Sequence, residues 1–258
     1  MALDLESARR ALRERQGSGA RYDSPSAPAR ELAWARQGTA YFARHLNETT
    51  DEDLRQPSRL PGWSRAEVVA HVGYNARALT RLLTWAATGT EHPMYASAAH
   101  RAEEIARGAT LPARALRHLV SHSTVHLDVE WRDLPDAAWN APVRTAQGRT
   151  VPARETAWMR TREVWVHSVD LGGGGRFDDF PPEFLDALAA DVFQTWNRRG
   201  EDVPIHLVAV DRPAPHRTEG RQVTVTGRQA DLVRWLTGRG GHDLVSSSNR
   251  LPDIPSWL

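Results

Sequence analysis

The sequence predicts an α + α/β protein: a bundle of three or four long helices followed by a small α/β module. Three observations predict it. Ser64-Arg-Ala-Glu67 is a capping box that opens a run of apolar residues at helical spacing. Up to Gly172–Gly175, further stretches of period 3.6 alternate with short connections, the signature of an antiparallel bundle. Past those glycines come the only convincing strands, V-P-I-H-L-V-A-V-D at 203–211 and Q-V-T-V-T at 222–226. The expected division is an N-terminal extension and linker over 1–27, the bundle over 28–172 and the α/β domain over 173–258.

In chain order, residues 2–16 can form a short helix. Gly17–Pro28 is rich in Gly, Ser and Pro and reads as a linker. The first bundle helix spans Ala29 to about Leu46, with Leu32, Ala35, Phe42 and Leu46 on one face. Leu60-Pro-Gly-Trp63 is a turn, and the capped helix after it runs to Thr88, ending before Gly89. Val68, Val72, Leu79 and Leu83 mark its buried stripe, and His71 lies on or beside that stripe. A third helix is expected over Ala96–Arg107 and a longer one over Leu111–Asp133, stopped by Leu134-Pro135. The Gln147-Gly148 turn belongs to a short hairpin or a structured loop. Thr150-Val-Pro152 reads as the opening of the next helix, which the four glycines end. In the second module, Pro181–Arg199 and Arg228–Leu236 are helical, the latter closed by Thr-Gly-Arg-Gly-Gly.

Composition narrows the chemistry. With 258 residues and a net charge of +1, the chain has ample core material and no basic or acidic bias toward nucleic acid or a membrane surface. No apolar run approaches membrane-spanning length, and the acidic, amphipathic start M-A-L-D-L-E is unlike a signal peptide, so the expected location is the cytoplasm. All 33 basic residues are arginine, which suits bidentate capture of carboxylates. There is no cysteine. Disulfides, thiolate metal ligands and a protein thiol nucleophile are excluded together, so any metal rests on His and carboxylate and any sulfur chemistry uses an external thiol.

The most informative stretch is W-M-R-T-R-E-V-W-V-H-S-V-D-L, residues 158–171. Glu163 and His167 are four apart, so on a helix their tips converge on one face. With a third donor opposite they form a metal site, and His71 on a neighbouring helix is the candidate. Spacing alone leaves open that His71 is a hydrogen-bonded core histidine and Glu163 an ion-pair partner of an arginine. His118, His122 and His126 form a rival at i, i+4 and i+8. The outer pair, however, is separated by about 12 Å along a helix axis, so the three read as surface or seam positions, of which at most one approaches a cavity. On the residues alone Arg101 reads as a surface arginine paired with Glu104, and Arg239 as a loop arginine able to reach a ligand. Trp131, Trp158 and Trp165 read as core, and Gly172–Gly175 as a helix cap and linker rather than a phosphate loop.

At these positions the chain resembles the mycothiol-dependent maleylpyruvate isomerases of actinobacteria. The likeness is carried by L-P-G-W-S-R-A-E-V-V-A-H-V-G-Y-N, P-M-Y, R-A-E-E-I-A-R-G, T-A-Q-G-R-T-V-P-A-R-E-T, W-M-R-T-R-E-V-W-V-H-S-V-D-L-G, V-T-V-T-G, T-G-R-G and the terminal P-S-W-L. The resemblance implies a DinB-like four-helix bundle and a small sterol-carrier-like α/β domain. It implies zinc on His71, Glu163 and His167, mycothiol as the thiol, and essential arginines at Arg101 and Arg239. The implied reaction is conversion of maleylpyruvate to fumarylpyruvate in gentisate degradation, by reversible thiolate addition to the alkene, with a small dicarboxylate as substrate and a monomeric enzyme. A mycothiol S-transferase acting on another electrophile is the alternative within this fold; a metal-free binding bundle is the alternative outside it.

Overall fold

Seven helices and five short strands make up the described chain, which covers residues 22–212 and 223–257 in a computed structural model. The helix expected over 2–16, the first part of the linker, Gln222 and Leu258 lie outside the described residues. Residues up to Gly175 form one compact unit and Arg176 onward a second.

In the first unit, α1 is Ala29–Glu48, α2 Arg65–Thr88, α3 Ala98–Ala109, α4 Ala113–Asp133 and α5 Glu155–Asp170. Helix α1 packs along α5 and α2 along α4, with α2 also against α5 and α3 against α2. That is a four-helix bundle with one added short helix. The capping box is formed on both sides: the Ser64 side chain accepts from the Glu67 N–H, and Glu67 accepts from the Ser64 N–H at 2.7 Å. Helix α2 is the buried spine, with Val68, Val72, Leu79 and Leu83 fully enclosed. Gly38 of α1 permits a close approach to α5. A Cβ there would lie 2.6 Å from the Trp165 ring and 2.7 Å from Val164.

Several expected boundaries move. Helix α3 starts two residues late because Ser97 caps it, accepting from the His100 N–H. Thr150–Pro152 does not open a helix: it is strand β2, antiparallel to β1 at Pro142–Arg144 in register Val143 with Val151. The proline that suits a helix start is equally at home in a two-stranded edge. Residues 22–28 are not a free linker. Arg36 forks onto Asp23 at 2.6 Å through both Nη atoms while its Nε holds Asp128 at 2.8 Å, Arg154 donates to Ser26 O, and Ala27 packs on the core.

In the second unit, α6 (Pro182–Arg198) and α7 (Gln229–Leu236) accompany a three-stranded sheet of order β3-β4-β5. Strand β3 (Ile205–Ala209) runs parallel to β4 (Val223–Gly227), with Leu207 opposite Val225. Strand β5, Val245–Ser246, adds antiparallel to β4. Its two residues carry no pattern that a sequence reading can find.

Candidate metal centre

Helices α2 and α5 bring His71 and Glu163 together from 92 residues apart: His71 Nε2 lies 2.8 Å from Glu163 Oε2. One turn on, His167 Nε2 lies 3.2 Å from the same oxygen. One donor atom from each of the three residues falls within 4.8 Å of the others, the only such group of three among the described residues. The outer shell is also built. Asp170, fully buried, lies with Oδ2 2.9 Å from His167 Nδ1. Trp63 meets the His71 ring edge-on at 5.7 Å, and the two imidazoles meet edge-on at 4.8 Å.

The charge states follow from this packing. Burial lowers the His71 pKa, so this ring is neutral at pH 7. Burial opposes ionisation of Glu163, yet the two histidines hold it well below the usual carboxylate range. Burial also works against protonated His167, but Asp170 and Glu163 together carry its pKa up to about 9. A carboxylate between two imidazoles, one of them backed by a second carboxylate, is the donor set of a His₂Glu cation site. These residues fit a borderline divalent ion, whose only proton competitor of consequence at neutral pH is the one on His167.

Arg101 on α3 is not the surface partner of Glu104. Its Nη2 lies 3.3 Å from His71 Nδ1, and its guanidinium stands over the Tyr95 ring at 5.8 Å and hydrogen-bonds the phenol. Glu104 lies beside Arg81 and His100 instead. Arg239 belongs to the second unit, in the loop after α7 between left-handed Gly238 and Gly240, and donates to Thr237 O. His118, His122 and His126 are all exposed on α4, away from any role in the triad. Trp131 and Trp165 are buried, their indole N–H groups satisfied by Thr156 and Trp34 O. Trp158 is partly buried, edge-on to Trp34.

Three neighbours of the site were not singled out from sequence. Asp170 stands at i+3 from His167, a spacing visible in H-S-V-D. Tyr95 belongs to P-M-Y; burial and the Glu163 carboxylate push its pKa to about 12, so it keeps its proton. Arg160, one turn before Glu163, is 1 % exposed and donates to Val72 O, Asn75 and Thr124. Burial lowers its pKa to about 10, Glu163 acting in the opposite sense. Only the tertiary structure reveals these last two as parts of one network.

Comparison with known proteins follows the same division. Residues 35–172 match the mycothiol maleylpyruvate isomerase N-terminal domain, and residues 179–255 match the C-terminal domain of that family. The chain resembles a crystal structure of the mycothiol-dependent maleylpyruvate isomerase at 44% sequence identity, covering 89% of this chain and 96% of that one with a TM-score of 0.83. A crystal structure of a histidine-to-alanine mutant of a mycothiol-dependent maleylpyruvate isomerase is similar at 43% identity, with the same coverage and TM-score. The comparison with curated proteins returns no match. Both domain matches and these solved structures place the chain in the mycothiol maleylpyruvate isomerase family.

Proposed function

We propose that the protein is a zinc- and mycothiol-dependent isomerase that converts maleylpyruvate to fumarylpyruvate, the cis–trans step after gentisate ring opening. The observation that carries it is the convergence of His71, Glu163 and His167 on one point beside Arg101. His71, Glu163 and His167 would hold the zinc ion, which would supply a Lewis acid for the thiol sulfur and lower its pKa toward neutrality.

An alkene does not rotate, so the reaction needs a nucleophile that adds, allows rotation about a single bond, and leaves. The thiol is returned unchanged. With no cysteine in the chain, that nucleophile comes from outside. The protein's share is binding and electrostatics. Arg101 would hold a substrate carboxylate as a planar fork and face the enolate charge that develops next to the reacting carbon; Arg239, in the second unit, is the other arginine that the family resemblance implies to be essential. The neutral Tyr95 phenol offers one more donor.

Arg101 is also coupled to ligation. A guanidinium only donates, so His71 Nδ1 accepts from it and the His71 hydrogen sits on Nε2, toward Glu163. Were Nε2 to hold a cation, the hydrogen would sit on Nδ1, and Arg101 would lose this acceptor and be free to face a substrate.

The test is an ultraviolet assay of maleylpyruvate isomerisation by zinc-loaded protein with and without mycothiol. The expected result is turnover only when both are present. Arg101→Ala and Arg239→Ala should each lower kcat/KM about 10- to 100-fold, the ~1.5–3 kcal/mol of a charge-assisted hydrogen bond, with zinc content intact. Zinc-loaded protein that binds mycothiol but turns over no maleylpyruvate refutes the isomerase assignment. Wild-type rates in Arg239→Ala refute that residue's role.

A further inference from the structure

The described chain carries a second set of imidazoles that the proposed function does not use. His118, His122 and His126 occupy successive turns of one face of α4, all exposed. Neighbouring rings are tilted to one another, with centroids 5.8 Å apart for His118–His122 and 6.3 Å for His122–His126. Glu130 extends the row by one more turn, its Oε1 3.3 Å from His126 Nε2. Polar and aliphatic neighbours on the same surface, including the exposed Val125, leave the approach from solvent open.

We propose that this histidine row is a second, exposed site for one borderline divalent transition-metal ion, chelated by His122 together with His118 or His126. Imidazoles at i and i+4 converge without backbone rearrangement, and a small rotamer adjustment brings rings at these separations onto a common ion. The choice of metal follows from the donors: neutral imidazole suits Cu²⁺, Ni²⁺ and Zn²⁺, and among divalent ions Cu²⁺ binds such nitrogen sites tightest. Three donors on one ion are excluded, because His118 and His126 are separated by about 12 Å along the axis. His122 therefore belongs to both possible chelates, and occupation of one abolishes the other, so the row takes a single ion. Glu130 orients His126 and adds a compensating negative charge, as carboxylates do behind ligating histidines.

The site is independent of the buried triad and of the isomerase reading. It bears on both in practice: a metal count on wild-type protein adds the exposed ion to the buried one, so triad occupancy is read correctly only on a variant lacking His122.

The experiment is a Cu²⁺ titration of chelator-stripped full-length protein, followed by electron paramagnetic resonance. Wild type, His122→Ala, His118→Ala, His126→Ala and His167→Ala are compared. The expected pattern is specific to a shared central ligand. His122→Ala loses one equivalent and its two-nitrogen signature. His118→Ala and His126→Ala each keep that equivalent, because one pair survives. His167→Ala keeps it as well, since the triad is separate. The substituted positions on the row are exposed, so each variant is expected to unfold at the wild-type temperature, which a melting curve records. Equal Cu²⁺ stoichiometry in wild type and His122→Ala overturns the proposal. So does loss of the same equivalent in His167→Ala, which would assign it to the triad.

Discussion

Replacing Asp170 with Asn removes a charge and keeps an oxygen that can accept from His167 Nδ1–H. Ring orientation is thus retained while ligand basicity falls. Burial opposes the rise of the His167 pKa from 6.5 to about 9, and Asp170 and Glu163 produce it. At about 1.4 kcal/mol per pKa unit the rise corresponds to about 3 kcal/mol. Two effects on zinc affinity follow, with opposite signs. The weakened ligand loses about 10- to 100-fold in intrinsic affinity, as second-shell changes do. The proton on His167 becomes easier to displace, which returns part of that loss wherever His167 is protonated. At pH 7 the two terms oppose each other, so the variant's loss of zinc affinity should be smaller there than at high pH. At pH 9, where the proton is already leaving, the loss should approach the full 10- to 100-fold. The assay is competition with a chromophoric zinc chelator at both pH values, on protein that also carries His122→Ala. An affinity ratio that is the same at pH 7 and 9 refutes the argument that Asp170 acts through the His167 proton.

Three further outcomes are expected. Tyr95→Phe should keep zinc and fold while kcat/KM for maleylpyruvate falls about 10- to 100-fold, the ~1.5–3 kcal/mol of a hydrogen bond to a charged group; an unchanged kcat/KM would remove Tyr95 from the reaction. Chelator-stripped protein should be most stable near pH 6.5. The raised His167 pKa contributes up to about 3 kcal/mol that is fully present below pH 6.5 and lost as pH rises through about 9, whereas neutral His71, its pKa lowered by burial, costs stability as pH falls below 6.5. Denaturant unfolding between pH 5 and 9.5 checks this, and a flat profile contradicts it. Gly38→Ala should destabilise by about 1–3 kcal/mol, because its Cβ meets the Trp165 ring at 2.6 Å. Thermal unfolding should then begin several degrees lower, by roughly 2–4 °C per kcal/mol for a unit of this size.

Much of the site is readable in sequence because it is local. Glu163, His167 and Asp170 share one helical face at spacings of four and three, and nothing outside α5 is needed to see them converge. The capping box at Ser64 and the apolar stripe after it likewise specify where α2 starts and that His71 sits on or beside its buried side. These are consequences of helical periodicity, which acts within a few residues. The zero cysteine count excludes a protein thiol just as directly, so any thiol chemistry here would use an external thiol.

What the sequence by itself could not determine are the relations that depend on how helices pack. That His71 faces Glu163 at 2.8 Å rather than a core hydroxyl follows from the approach of α2 to α5. Arg101 looks like a surface residue along α3, and only the docking of α3 on α2 turns it from Glu104 to His71 and Tyr95. The buried fork of Arg160 spans three helices. Thr150–Pro152 carries helix-start chemistry and becomes a strand because Pro142–Arg144 lies beside it. Residues 22–28 have linker composition and are held down by two arginines from α1 and the start of α5. In each case the deciding partner is remote in the chain. Local propensity is too weak to oppose it, and tertiary contact supplies the remaining free energy.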